Sequence, residues 1–221
     1  PASLMQLAEH CHRLTEFTHC PAWIVPGVSG AGHAGNYDVM RGEEVQFFGA
    51  QQLLPRSEHK APQLLCFPGT HNKWIDASSS TLNNFSTTMS GELFGLLSQK
   101  SILASSIDAD APWNDDAFTQ GLDHAKQPGG LLHHLFGVRA LNLNGQHSQE
   151  LGLSYLSGLI IGHELQDLGA LAGCSIAIVG ASELAHRYQL ALTHFGYDAF
   201  CIDGEDATIL GALAITEQLP V

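Results

Sequence analysis

From Ser175 onward the chain alternates short apolar runs with longer mixed stretches, and this alternation constrains the fold more than any other feature. Ser175 to Val179 reads as a strand that ends at a Gly180-Ala181-Ser182 turn, and Glu183 to Phe195 reads as a helix. Ala199 to Ile202 is a second strand, and Glu205 to Glu217 a second helix. Strands that alternate with helices pair in parallel and carry the helices on the faces of the sheet. The expected class is α/β.

The rest of the chain supplies more strands and helices. Residues 2–18 carry Leu4, Leu7, Ala8, Cys11 and Leu14 at helical spacing. Ala22 to Val25 reads as a short strand stopping at Pro26-Gly27, and a glycine-rich loop with Asn36 and Asp38 follows. A helix is expected over about 40–54, strands near 63–67, 73–77 and 82–87, and another helix over 89–99. Residues 101–150 are helical in tendency but broken by Pro112, by Pro128-Gly129-Gly130 and by Asn142 to Gly145, with Asp115 placed to cap a helix through Ala125. Leu151 to Leu171 reads as a long helix whose Gly152, Ser157, Gly158 and Gly162 imply close packing.

Composition narrows the function classes. A formal charge of −13, from 22 acidic and 9 basic residues, repels polyphosphate backbones, so no nucleic acid partner is expected. Small anionic substrates remain possible, because one Arg or Lys with a few aimed amides outweighs the global field locally. No apolar run has transmembrane length and no membrane partner is expected. The five cysteines are scattered through mostly apolar surroundings and read as reduced packing residues of a cytoplasmic protein. The 13 histidines lack ligand-like spacing, so no metal-ligating residue is assigned and each histidine reads as satisfied or exposed.

Three turns sit where an α/β protein places ligands, at the ends of its strands. Cys66-Phe67-Pro68-Gly69-Thr70-His71-Asn72-Lys73-Trp74 is a turn between two strands. Gly69 lets the backbone approach a phosphate, the Thr70 hydroxyl adds a donor, and Lys73 adds a point charge. Taken alone it also fits an ordinary hairpin corner. Met40-Arg41-Gly42-Glu43-Glu44 puts a guanidinium and two carboxylates at a helix start. Acidic residues there complement the helix dipole, yet they are also placed to accept a proton from a hydroxyl, while Arg41 can grip a substrate carboxylate. Gly180-Ala181-Ser182 can seat a ligand on a helix N-terminus, or simply end a strand and cap a helix. A serine or cysteine hydrolase is disfavoured, since there is no Gly-x-Ser-x-Gly elbow and Cys66 lies inside an apolar strand.

Taken together, the 40–44 and 68–74 segments with Thr88-Met89-Ser90-Gly91-Glu92-Leu93-Phe94 closely resemble the 2-dehydro-3-deoxygalactonokinases. Phe118 to Leu122, Leu156 to Gly162 and Ala185 to Tyr188 fit the same family in order. The resemblance implies a two-domain, actin-like ATPase (ribonuclease H-like) fold, with 1–88 as the remainder of an N-terminal α/β domain and 89–221 as the C-terminal one. It implies transfer of phosphate from ATP with Mg²⁺ to the 6-hydroxyl of 2-dehydro-3-deoxy-D-galactonate. Gly69, Thr70 and Lys73 then belong to the second phosphate loop. Gly180, Ala181, Ser182 and Arg187 serve the nucleotide, and Glu43 or Glu44 acts as base. Arg41, Asn36 and His71 are the candidates for the sugar acid, and a homodimer is a possible assembly.

Members of this family open with an Asp-Trp-Gly-Thr/Ser hairpin, and this sequence contains no such segment. On that basis a fragment or a truncated product with little or no activity is expected, and with it an incomplete N-terminal sheet whose edge invites self-association. Two other readings stay open. One is a catalytically dead protein that binds nucleotide or sugar acid. The other, a phosphohydrolase of the same superfamily, is disfavoured by the scarcity of basic residues.

Overall fold

The computed structural model describes residues 2–16, 19–32, 35–54, 59–166, 168 and 174–220. At its centre is a five-stranded sheet built from β5 (Leu64–Phe67), β6 (Asn72–Asp76), β7 (Phe85–Thr88), β8 (Ser175–Gly180) and β9 (Asp198–Asp203). The strand order is β7-β6-β5-β8-β9. β5, β6 and β7 form an antiparallel meander, whereas β8 pairs in parallel with β5 on one side and β9 on the other. Strands from both sides of residue 88 thus share one sheet.

Side-chain alternation explains why helices cover both faces. Leu65, Phe67, Ala177 and Val179 point to one face, where they meet Phe47, Phe48 and Ala50 of α2 (Glu43–Leu53) and Ala207 and Ile215 of α8 (Gly204–Thr216). Cys66, Ile176 and Ile178 point to the other, against Ile161 and Leu165 of α6 (Gln149–Gln166) and Ala185, Tyr188 and Leu192 of α7 (Ser182–His194). The α/β expectation therefore holds, as a mixed sheet between helical layers.

A helical block lies beyond α6. It comprises α3 (Ser90–Lys100), a 3₁₀ turn (Ile102–Ser106), α4 (Asp115–Ala125) and α5 (Gly130–Leu143), around Leu103, Ala117, Val138, Leu156 and Leu159. Its His134 is satisfied rather than free. His134 is buried, its Nδ1 is 2.9 Å from Nε2 of His163, and its Nε2 is 3.2 Å from the Pro128 carbonyl.

Several local expectations need correction. The expected helix over 2–18 is only α1 (Leu4–Glu9), opened by a Ser3/Gln6 capping box. The chain then forms β1 (His12–Leu14), whose backbone groups pair with β2 (Ala22–Ile24) in place of continuing the helix. The glycine-rich loop is a hairpin, β3 (Val28–Ala31) with β4 (Tyr37–Met40). It is tied to the sheet because the Thr87 N–H and hydroxyl both donate to Asp38. Asn114, not Asp115, caps α4 by accepting the Ala117 N–H. Ala181, not Ser182, is the N-cap of α7, and Ser182 is its first helical residue. The helix expected over 151–171 spans Gln149–Gln166, and residues 167 and 169–171 lie outside the described residues.

Candidate active site

The register of the sheet decides where the turns meet. β5 and β8 run side by side with Cys66 opposite Ile178, so both end at the same edge. The 68–71 turn leaves β5 there, and the 180–182 turn leaves β8. Gly180 lies against Pro68, close enough that a Cβ at Gly180 would come within 3.4 Å of its ring. The β3–β4 hairpin, linked to β7 through Asp38, delivers the third segment. At Gly42 the chain turns sharply, with φ +112°, a value that side-chain-bearing residues rarely adopt, and α2 starts.

These pieces enclose a cleft of about 930 Å³ lined by Arg41, Glu43, Gly69, Thr70, His71, Lys73, Gly180 and Ala181, among others. Eight of the expected site residues therefore share one cavity. Lys73 is buried to 5% exposure, and its Nζ lies 3.8 Å from Glu43 Oε1. In a chain of formal charge −13, this cleft brings together one guanidinium and one ammonium group. Such a site can hold an anion while presenting a carboxylate to a hydroxyl.

The other expected residues fall elsewhere. Glu44 is 1% exposed, and its Oε2 accepts the Gly42 N–H at 2.6 Å, so it closes the start of α2. Burial raises the Glu44 carboxyl above its ordinary range, and the bonds from the backbone partly offset this. Asn36 is exposed at the tip of the β3–β4 hairpin, outside the cleft lining. His71 lines the cleft, and its Nε2 bonds Glu92 Oε2. Arg187 lies in an adjoining cavity of about 440 Å³ that shares Gly69, Thr70 and Ala181 with the main cleft. Its guanidinium stacks on Trp113, 3.9 Å from the ring centre, and reaches Glu183 Oε2 at 3.9 Å.

Behind the 68–71 turn is a polar network not anticipated from sequence. Glu164 of α6 accepts from Asn72 Nδ2 at 3.1 and 3.0 Å, from Trp74 Nε1 at 2.7 Å, from Thr88 Oγ1 at 2.8 Å and from the Tyr188 hydroxyl at 2.7 Å. Asn72 Nδ2 also contacts the Tyr188 hydroxyl, and Asn72 Oδ1 accepts the Gly69 N–H at 2.7 Å. Burial, then the Glu164 charge, pushes the Tyr188 hydroxyl well above its ordinary range, so it acts as a neutral donor. Cys66 is also pushed up, chiefly by burial, which suits an inert packing thiol. One sequence signal pointed to this network: Glu164 is the one carboxylate in the largely apolar run from Leu159 to Leu165.

The comparisons with known proteins agree on one family. Residues 1–215 match the profile described as 2-keto-3-deoxy-galactonokinase. The chain is 36% identical over 199 residues to the 2-dehydro-3-deoxygalactonokinase of Escherichia coli (strain K12), covering 89% of this chain and 65% of that protein. It is 32% identical over 226 residues to a protein of Rhizobium meliloti (strain 1021) named a probable 2-dehydro-3-deoxygalactonokinase, covering 99% and 71%. The chain thus spans about two thirds of the length of these relatives. A crystal structure of a candidate 2-dehydro-3-deoxygalactonokinase from Sinorhizobium meliloti superposes with a TM-score of 0.86 at 30% identity, over 100% of this chain and 73% of that one. The chain belongs to the 2-keto-3-deoxy-galactonokinase family.

Proposed function

We propose that the protein acts in phosphoryl transfer from ATP to the 6-hydroxyl of 2-dehydro-3-deoxy-D-galactonate, in the cytoplasm. The observation that carries this reading is the convergence of the 41–43, 68–73 and 180–181 segments on one cleft, in a chain of this kinase family. In the proposal the nucleotide lies along the shared edge of β5 and β8. Its base end is on the α7 side near Arg187, and its terminal phosphate is at Thr70 and Lys73. Arg41 holds the carboxylate of the sugar acid. Glu43, rather than the buried Glu44, orients the attacking hydroxyl and takes its proton. Catalysis in such a transfer comes mostly from alignment and charge, with the base adding a smaller factor.

The residues present suit an ATP phosphate chain: a glycine turn without steric cover, a hydroxyl and a lysine. Among the described residues no group of three or more His, Cys, Asp or Glu is arranged to hold a metal. Mg²⁺ suits this site as an ion carried mainly by nucleotide phosphates, with Glu43 as the carboxylate near enough to contribute, because Mg²⁺ commonly keeps few protein ligands. It would neutralise charge developing on the phosphates.

The two-domain, actin-like arrangement is part of the same proposal, without a division at residue 88, because β5 pairs with β8 and α2 packs on α8 across it.

An ADP-release assay with MgATP and 2-dehydro-3-deoxy-D-galactonate tests the reading, run beside calorimetric binding of each ligand alone. Turnover with binding of both ligands is the expected result. Binding of both without turnover would move this chain to the binding-protein reading, and binding of neither would discard the site.

A further inference from the structure

We propose that Glu164 is the positioning residue of the phosphate turn, acting through the Asn72 side chain; this rests on the cleft being the nucleotide site. An asparagine amide has one accepting end and one donating end. Here the Gly69 N–H requires an acceptor, and both Glu164 oxygens require a donor. Reversing the amide would set Nδ2 against the Gly69 N–H and Oδ1 against a carboxylate, two repulsions in place of three bonds. Glu164 therefore fixes which way Asn72 points, and Asn72 fixes the plane of the Gly69 peptide.

Glu164 is itself held from three directions, by Trp74 on β6, Thr88 on β7 and Tyr188 on α7. None of the ion pairs among the described residues includes it. A leucine there would leave the donors of Asn72, Trp74, Thr88 and Tyr188 without their shared acceptor, so the carboxylate supplies stability and geometry together. The opposite side of the turn is clamped independently: the Glu92 N–H donates to the Thr70 carbonyl at 2.9 Å, and a Cβ at Gly91 would come within 2.1 Å of the Gly69 carbonyl oxygen. One consequence is specific. The Gly69 N–H is already committed to Asn72, so a phosphate is met by the Thr70 hydroxyl and backbone and by Lys73, while Gly69 contributes only room.

A polarity exchange tests this. Glu164→Gln puts an amide donor where Asn72 and Tyr188 already donate, and Asn72→Asp puts a second carboxylate beside Glu164. Each single variant is expected to weaken ATP binding about tenfold and to speed hydrogen exchange at the Gly69 amide. The double variant, with Asp accepting at 72 and Gln donating at 164, is expected to restore both readouts most of the way. A merely structural role would instead lower Tm in all three variants, with ATP affinity unchanged and no selective effect at Gly69. That pattern overturns the proposal, as does a double variant no better than the singles. Should Glu164→Gln not fold, Thr88→Val removes one donor from the network's edge. It should give a smaller effect, about threefold, in the same two readouts, and no effect on either would count against the proposal. If the unmodified protein does not bind ATP, the nucleotide reading falls, while exchange at Gly69 still decides whether Glu164 sets the turn.

Discussion

Glycine does opposite work in the helical packing and in the cleft. Where α4 crosses α6, a Cβ at Gly158 would lie 1.9 Å from the Phe118 carbonyl oxygen, and one at Gly121 would lie 2.3 Å from that of Tyr155. The contact between α2 and α8 is the same, with Gly49 1.7 Å from the Ala207 oxygen by that measure. These glycines let backbones touch. At Gly69 the backbone φ is ordinary, and nothing lies within 4 Å of where a Cβ would be. Neither packing nor conformation requires a glycine there. The fold needs the first kind, and the open space of the cleft is what the second kind serves. The glutamates divide in the same way: Glu43 faces the cleft, while Glu44 is spent on the start of α2.

The largest expected effect breaks the packing side. Gly158→Ala sets a methyl against a backbone oxygen that cannot move without separating two helices. It should cost about 3 kcal/mol or more, and lower Tm by roughly 6–12 °C. A calorimetric Tm unchanged from the parent would show that the α4–α6 contact is looser than described.

On the cleft side, Glu43→Gln should lower turnover of the sugar acid about a hundredfold in the ADP-release assay. Glu44→Gln should leave turnover nearly unaltered. Equal losses from the two would remove the distinction between them. Gly69→Ala sharpens the contrast further. It should weaken ATP binding about tenfold, the equivalent of about 1.4 kcal/mol, while holding or raising stability by about 0.5 kcal/mol. A fall in Tm with intact ATP affinity would return Gly69 to the packing class.

The smallest effect is electrostatic. Because burial raises the Glu44 carboxyl in the folded protein, the folded state holds that proton more tightly than the unfolded chain. Its contribution to stability is therefore greatest at low pH and declines as pH rises from the ordinary glutamate value of 4.5 through the higher folded one. Glu44→Gln keeps an acceptor for the Gly42 N–H without the titration. Urea unfolding at several pH values should show a parent-minus-variant difference that falls with rising pH. A difference independent of pH would contradict the burial.

Much of this was legible in the sequence. The strands 64–67, 72–76, 175–180 and 198–203 were visible because their apolar runs are short and end at Pro, Gly or Asp, and the 68–71 and 180–182 turns followed from them. The β3–β4 hairpin was not, since Val28-Ser29-Gly30-Ala31 has little β character of its own and is held by cross-strand bonds and by Asp38 on Thr87. Helix caps were misplaced by one residue because Asn114 and Asp115 are both good caps, and only φ and ψ separate them. The Asn72–Glu164 link was invisible because its members lie 92 residues apart, and a buried glutamate in a helix does not name its partner.

The pairing of β5 with β8 also governs how the site comes into being. The backbone N–H of Ser175 and the Gln63 side chain that bond beside this pairing are separated by 112 residues. Closing so long a loop carries an entropic cost that must be met before the contact gives anything back, and such non-local pairings slow folding. The two halves of the cleft edge therefore come together late, after the intervening helices have packed. A ribosome-bound chain that has emerged only through α5 would present the 68–71 turn with neither Glu164 nor the 180–182 turn beside it. The capacity to bind ligand should thus appear abruptly once α6 and β8 have emerged rather than grow with chain length.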